Sequence, residues 1–241
     1  MIKSISIILP LFNEAQRLNK TFNQIIKFSK KKTIKSKEFI FVDDGSSDRS
    51  VEMVENFINK NRRLKTIKLK LIKLKKNLGK GGALKSAIKR SEREWILTTD
   101  IDFSVSLFEL EKWLQKKYIS NSRYIYFGSR SHHNSKVNSK IHRKVIGYLL
   151  SHLISLILGV KIKDTQCGFK LYKTRIAKKI FSNLKFFGYE HDIEIVLLSK
   201  KFNLKITELP VTWRHVKLSK INLFIDPLKM LFKILSMAIK Y

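Results

Sequence analysis

The chain of 241 residues has one cysteine, three prolines, nine glycines and only 19 acidic residues. A lone thiol, Cys167, excludes an internal disulfide and fits a reducing compartment. So little proline and glycine excludes a linker-rich or low-complexity chain. Long apolar runs are missing too. The nearest, 145–160 (VIGYLLSHLISLILGV), carries His152 and falls short of the roughly 18–20 residues of a membrane span. Residues 221–241 are interrupted by Asp226-Pro227 and three lysines. The N-terminal MIKSISIILPLFNE lacks the apolar core and small-residue cleavage site of a signal peptide, and reads as a first strand. The expected location is cytoplasmic, with neither signal peptide nor transmembrane span.

Positive charge is what the chain has in excess: 50 Lys and Arg, for a formal net charge of +31. Nucleic acid, an anionic membrane surface and phosphorylated substrates are all partners for such a balance. Only 11 of the 50 are Arg and 39 are Lys, in a chain also rich in Ile and Asn. A/T-biased codon usage places the same mixture on any solvated surface, so the arginines carry more information than the lysines. Nucleic acid is disfavoured, because no aromatic-studded basic strand or recognition motif is present. An apolar content of 44% supplies a core, and the length suits one α/β domain with at most a small appendage.

Short apolar runs alternate with amphipathic ones. Strands are expected at 5–9 (stopped by Pro10), 38–42, within 66–74, at 95–99, 123–128, just after 164–170, and at 204–209. Helices are expected at about 15–28, after Asp48, from Lys80 to about Arg90, and at about 106–117, 141–158, 174–182, 189–202 and 222–240. Segments 129–140 and 213–220 read as polar and basic loops. Strands alternating with helices, each strand ending in a polar loop, predict a mostly parallel central sheet with helices on both faces.

Residues 95–103, WILTTDIDF, end a buried strand in two carboxylates, Asp100 and Asp102. Residues two apart in an extended segment point the same way. Side by side, the two acids repel unless a cation lies between them, which suggests Mg²⁺ or Mn²⁺ with further ligands from substrate phosphates; solvated turn acids are the alternative. The loops 10–14, 43–48, 77–82 and 100–102 all follow strands and gather on one edge of a doubly wound sheet, where such folds bind ligands. Acids in two of these loops argue against a pure anion site, and the glycines of 79–82 form neither a P-loop nor a complete dinucleotide fingerprint. Asp43 can instead accept hydrogen bonds from a ribose or base. Glu14 and Asp48 also read as helix-start charges. Cys167 reads as a buried small residue, and His132-His133 as a loop pair.

In matching order and spacing, P-L-F-N-E (10–14), V-D-D-G-S-S-D (42–48), N-L-G-K-G-G-A (77–83) and T-D-I-D (99–102) resemble family 2 glycosyltransferases of the GT-A fold. The resemblance continues through G-S-R (128–130), D-T-Q-C-G-F-K (164–170), Y-E-H-D-I-E (189–194) and W-R-H-V-K-L-S-K (213–220). The D-T-Q-C-G-F-K segment looks most like the dolichyl-phosphate glucosyltransferase branch, beside the dolichyl-phosphate mannose synthases.

The resemblance implies an inverting enzyme that moves a hexose from a nucleotide sugar to a polyprenyl phosphate. UDP-glucose is the favoured donor, with GDP-mannose, or a glycan hydroxyl as acceptor, as alternatives. Pro10, Asn13, Glu14, Asp43 and Asp44 would hold the nucleoside, with Lys80 as a phosphate contact or a surface lysine. Asp100 and Asp102 would hold the metal on the diphosphate. Arg130 and Arg143 would meet the acceptor phosphate, and Arg214, Lys217 and Lys220 would close over the leaving diphosphate. Asp192 stands where relatives with hydroxyl acceptors keep a base; here it reads as a base or as a structural or sugar-binding carboxylate. Ser104 stands where mannose synthases often add a polar metal ligand, and Gly147 where some relatives bind phosphate through Ser. Residues 1–220 would form the transferase domain and 221–241 an amphipathic, membrane-associating helix, leaving the protein peripheral on the cytoplasmic membrane face.

Overall fold

Alternation of apolar side chains along the first strands decides the architecture. In strand β1 (Ser4–Leu11), Ile5, Ile7, Leu9 and Leu11 join one apolar cluster while Ile8 joins another. Strand β2 (Ser36–Asp43) sends Phe39 and Phe41 to the first cluster and Ile40 and Val42 to the second. Side chains of period two on strands buried on both sides require a cover on each face. In the computed structural model, which describes residues 2–120, 124–138, 159, 161–216, 233, 236 and 237, helices supply both covers.

The first cover is α1 (Ala15–Ser29), α2 (Ser50–Lys60) and α4 (Phe108–Gln115). Leu18, Phe28, Val54, Phe57, Leu110 and Trp113 pack there. Phe22 stacks on Phe57 at 4.1 Å between ring centroids, and Phe41 meets both rings edge-on. The second cover is α3 (Lys80–Arg90), α5 (Thr174–Ser182) and α6 (His191–Lys201). Helix α6 is buried along its whole length from His191 to Ser199, acids included.

The remaining strands are β3 (Ile67–Lys73), β4 (Trp95–Thr98), β5 (Ile125–Ser129), β6 (Lys136–Asn138), β7 (Lys170–Lys173), β8 (Ile206–Pro210) and β9 (Thr212–Arg214). Seven strands form one sheet in the order β3-β2-β1-β4-β7-β5-β8, with β7 antiparallel to both neighbours and every other pair parallel. The chain winds outward from β1 to β3 and returns to β4 on the other side of β1. That reversal opens a crevice at the carboxyl ends of β1 and β4, where open sheets bind ligands. Every expected strand and helix within the described residues is present, with ends shifted by up to a few residues.

Three features depart from expectation. Pro10 does not stop β1, which runs on to Leu11. The carbonyl of Ile8 accepts from Thr99 N on the β4 side, so Pro10, two residues on, faces that same side beyond the last β1–β4 pair, Ile8↔Thr98. Its missing N–H therefore costs no ladder bond. The segments read as loops at 129–140 and 213–220 contain β6 and β9, which pair in parallel as a two-stranded sheet. The expected helices at 141–158 and 222–240, and the boundary at 220, lie outside the described residues, save Lys233, Ser236 and Met237. Of these, Met237 is buried in the second cluster and the ammonium of Lys233 pairs with Glu190 at the start of α6.

One turn of this frame depends on glycine. Gly79 has φ +83°, and a Cβ there would stand 2.5 Å from the carbonyl oxygen of Phe187. Gly79→Ala is expected to lower stability by about 2 kcal/mol or more, because positive-φ strain and a backbone clash add. Urea unfolding measures this; a midpoint equal to the unchanged chain's counts against the turn as described.

Candidate active site

The crevice is built by loops that hold one another through carboxylates and backbone amides. Asn13, at φ +53°, accepts on its Oδ1 from the amides of Ser47 (2.8 Å) and Asp48 (3.3 Å). Its own amide donates to Ser46 Oγ at 2.9 Å. Asp48 in turn accepts from Ala15 N, which fixes the start of α1. The loops after β1 and β2 thus form one unit, with Pro10 at its base and Glu14 in an ion pair with Arg17 at 3.3 Å.

Asp43 and Asp44 end β2 and are both buried. The carboxylate of Asp43 accepts from Gly45 N and Ser46 N at 3.2 Å, closing its own turn. That of Asp44 accepts from Leu78 N (2.7 Å) and Gly79 N (2.9 Å), tying this turn to the one before α3. Burial, and to a lesser degree the charge of Asp43, raise the Asp44 carboxyl above its ordinary value, against the pull of those amides.

Asp100 and Asp102 follow β4 at the centre of the edge. Lys80, the first residue of α3, donates to Asp100 Oδ1 at 2.6 Å. Burial alone would raise the Asp100 carboxyl, and the Lys80 ammonium outweighs it, leaving the group below the usual carboxylate range. For Lys80, burial works downward, and the charges of Asp100 and then Asp192 more than reverse it. Asp102 behaves oppositely. Burial and then the charge of Asp100 push its carboxyl up, and the Ser104 amide (2.9 Å) and Arg17 (3.6 Å) only partly offset this. The backbone beside Asp100 is glycine for lack of room. A Cβ on Gly168 would stand 2.5 Å from Asp100 Oδ2.

Beyond β4, Arg130 at the end of β5 grips Asp164 with two side-chain bonds, Nε to Oδ2 and Nη2 to Oδ1, each 2.8 Å. Its amide adds a third at 2.8 Å. Burial opposes ionisation of Asp164, and Arg130 overrides it to hold the carboxyl low. Asp192, on the first turn of α6, pairs with the ammonium of Lys170 from β7, and His191 Nε2 stands 3.2 Å from the same oxygen. His191 and Lys170 together hold the Asp192 carboxyl far below its ordinary value despite burial. Arg214, in β9, donates its backbone amide to Ser104 O at 2.9 Å, which sets it two residues from Asp102. Cys167 is buried, and burial pushes its thiol up to about 12, so it is no nucleophile. His132 and His133 stack on each other in the loop after Arg130. Arg143, Lys217 and Lys220 lie outside the described residues.

Four groups here went unassigned in the sequence: Arg17 against Asp102, Asp164 against Arg130, Lys170 against Asp192, and His191. A signal for Arg17 existed, since it is one of eleven arginines and follows Glu14 by one helical turn. Lys170 and Asp164 lay within a recognised motif, but their partners are set by the packing of β7 on α6 and of the 161–169 loop on β5. Among the described residues, no three His, Cys, Asp or Glu side chains converge as a metal-ligand cluster. Asp100 and Asp102 both follow β4, but the segment is not extended as the sequence suggested: Asp102 lies in a turn closed by Phe103 N donating to Asp100 O at 3.1 Å.

Known proteins resemble this chain over nearly its whole length. The family model described as Glycosyl transferase family 2 matches residues 6–181. A dolichyl-phosphate beta-glucosyltransferase of Dictyostelium discoideum is 33% identical over 98% of this chain and 74% of its own length. The protein of that name from Homo sapiens is 30% identical over 99% of this chain and 76% of its own length. Among solved structures, glucosyl-3-phosphoglycerate synthase from Mycobacterium tuberculosis, in complex with UDP, superposes with a TM-score of 0.68 at 14% identity, covering 98% of this chain and 80% of that one. A mannosyltransferase from Pyrobaculum calidifontis, in complex with GDP-Man and Mn²⁺, gives 0.64 at 15% identity, covering 98% and 64%. At such identities the structural likeness speaks for the fold, and the fold is GT-A.

The Arg130–Asp164 pair carries a pH signature. The folded carboxyl of Asp164 is depressed, so its contribution is full above the unfolded value near about 3.9 and is lost as pH falls through the folded one. Asp164→Asn is expected to cost about 2 kcal/mol at pH 6, with the gap to the unchanged chain closing toward pH 3. Urea midpoints at the two pH values measure it, and a gap that stays constant contradicts the pairing.

Proposed function

The chain belongs to glycosyl transferase family 2, and from that membership we propose that it transfers glucose from UDP-glucose to dolichyl phosphate, inverting the anomeric carbon. The observation that carries the proposal is likeness over nearly the whole chain to relatives of one named activity, about three-quarters of whose length it spans. The crevice at the β1–β4 reversal supplies a place for the nucleotide, and its acidic floor and basic rim supply the chemistry.

In this reading Pro10, Asn13, Glu14, Asp43 and Asp44 shape the nucleoside pocket, the last two by fixing the backbone of their turns. Asp100 and Asp102 hold Mg²⁺ or Mn²⁺. The donor set fits a hard divalent cation by its chemistry, two carboxylates that follow one strand at the ligand-binding edge of the sheet. When bound, such a cation neutralises charge that develops on the departing diphosphate. Lys80 keeps Asp100 ionised and oriented, and Arg17 and the Ser104 amide do so for Asp102.

Arg130, steadied by Asp164 and joined by Arg143, receives the acceptor phosphate and points one of its oxygens at C1 of the sugar, which is catalysis by orientation. A phosphate monoester is ionised near neutral pH, so no base has to remove a proton before attack. The phosphate oxygen forms its bond to C1 from the face opposite the diphosphate. The C1–O bond breaks with its electron pair leaving on UDP, and the β-linked lipid phosphate glucose remains. Arg214, Lys217 and Lys220 close over the leaving group.

No described helix is long and apolar enough to cross a membrane. Segments 141–158 and 222–240, together with the many lysines of the chain, are proposed to hold the protein peripherally on an anionic leaflet, on its cytoplasmic face.

Purified protein incubated with radiolabelled UDP-glucose, dolichyl phosphate and Mn²⁺ is expected to yield an acid-labile product soluble in organic solvent. Transfer from GDP-mannose alone moves the donor assignment, and no transfer from any sugar nucleotide sinks the reading. Asp102→Asn is expected to lower turnover at least about 10²-fold in this assay, with the fold intact by circular dichroism. Near-normal activity in that variant removes the metal assignment.

A further inference from the structure

A buried cation faces a buried acid beside the crevice, and the proposed reaction uses neither. Lys170 is 1% exposed and enters from β7, two residues after the glycine that abuts Asp100. Its ammonium lies over the Phe127 ring, 4.8 Å from the centroid, and contacts Asp192 Oδ1. Thr98, two residues before Asp100, donates to Gly168 O at 3.2 Å and fixes this strand end against β4. Asp192 therefore stands behind the acid pair, near enough for Lys80 to feel both its charge and that of Asp100. Two charges are expensive to bury, and an apolar pair of the same size would join β7 to α6 at no greater cost.

We infer that Lys170 is a positioning and specificity residue: it neutralises Asp192, withholding a carboxylate beside the crevice from proton transfer and restricting the site to acceptors that arrive already ionised. The inference rests on the proposed transfer to a lipid phosphate and adds what sets the acceptor class. A general base must take up a proton, and a buried carboxylate bonded to an ammonium, with an imidazole nitrogen 3.2 Å away, does so poorly. The groups facing Asp192 are Lys170 and the buried Tyr172 hydroxyl from β7, His191 on its own helix, Lys80 from α3 and Asp100 after β4. Lys170 bonds to Asp192 and acts on Asp100 only through its charge, whereas Lys80 is bonded to Asp100.

Removing Lys170 while keeping Asp192 is then expected to open a side reaction. Water attacks C1 of UDP-glucose, its proton passes to the Asp192 carboxylate, and UDP leaves with the electron pair of the broken C1–O bond, giving free glucose. Burial without the ammonium raises the Asp192 carboxyl, so this hydrolysis grows as pH rises through the new value.

The test uses the full chain with labelled UDP-glucose, following transfer to dolichyl phosphate and release of glucose from pH 5 to 8. In Lys170→Met the ratio of hydrolysis to lipid transfer is expected to rise about tenfold or more, with an acid limb in its pH profile. That limb disappears in Lys170→Met/Asp192→Asn, and Lys170→Arg restores the original ratio. The double variant, whose neutral pair needs no counter-charge, is expected to keep lipid transfer within about tenfold. A ratio unchanged in both Lys170→Met and Lys170→Gln overturns the inference. If neither single variant folds, the double variant decides: a loss of lipid transfer beyond about 10²-fold at unchanged donor KM makes Asp192 a working base and refutes it. Absence of lipid transfer in the unaltered protein is a different failure, since it removes the parent reading and the inference with it.

Discussion

Two negative charges held at the end of one strand set the terms for everything around them. Near a protein surface, like charges about 4 Å apart repel by roughly 4 kcal/mol, so neighbouring acids need compensation from close by. Lys80 gives it to Asp100 at 2.6 Å, and Arg17 gives a weaker share to Asp102 at 3.6 Å. The asymmetry has a consequence. The Lys80 ammonium holds the Asp100 carboxyl below its ordinary value, while burial and then the charge of Asp100 hold that of Asp102 above it. Gly168 lets the backbone of the β7 entry close directly on Asp100. The acid pair thereby fixes the positions of α3, α1 and β7 relative to β4.

The same chemistry, a carboxylate accepting backbone N–H groups, builds the rest of the edge. Asp43 closes its own turn, Asp44 joins two turns, and Asn13 does the equivalent work with an amide. Glu208 accepts from the amides of Lys163 and Asp164, both at 3.0 Å, which presents Asp164 to Arg130. Glu194, buried in α6, accepts from Lys185 N and Phe186 N. Loops that bind ligands must leave the sheet, and their backbone groups then lack ladder partners. Acids supply them, so an acid in a motif is as much a piece of scaffold as a ligand contact.

That double use explains what could be read from the sequence. The alternation in Ile5–Leu11 and Phe39–Val42 and the acids closing β4 are local patterns, and they led directly to the sheet, its two covers and the crevice. Pro10 misled because its effect depends on which neighbour a strand has lost, a property of β4 and not of β1. Strands β6 and β9 are three residues each and have no periodicity to show. Arg17, Lys170 and His191 were missed for a related reason. Each owes its role to a partner 22 or more residues distant or to burial within a helix. Pairing of that kind is written in the packing, and only the motif order hinted at it.

The charge of the whole chain takes on a different meaning once these pairs are counted. In the crevice Lys80 faces Asp100, Arg17 faces both Glu14 and Asp102, Arg130 faces Asp164 and Lys170 faces Asp192, so each of these cations already has an acid partner. The formal excess of +31 therefore does not come from these four pairs. A sugar nucleotide that enters the crevice brings two phosphates, and these four cations meet that charge only while shared with their acids. In the proposed reaction the compensation comes from the divalent cation on the acid pair and from the basic segment that begins at Arg214. Cations already held in place by their acids need little rearrangement when a diphosphate departs, and that preorganisation is what catalysis of this transfer requires.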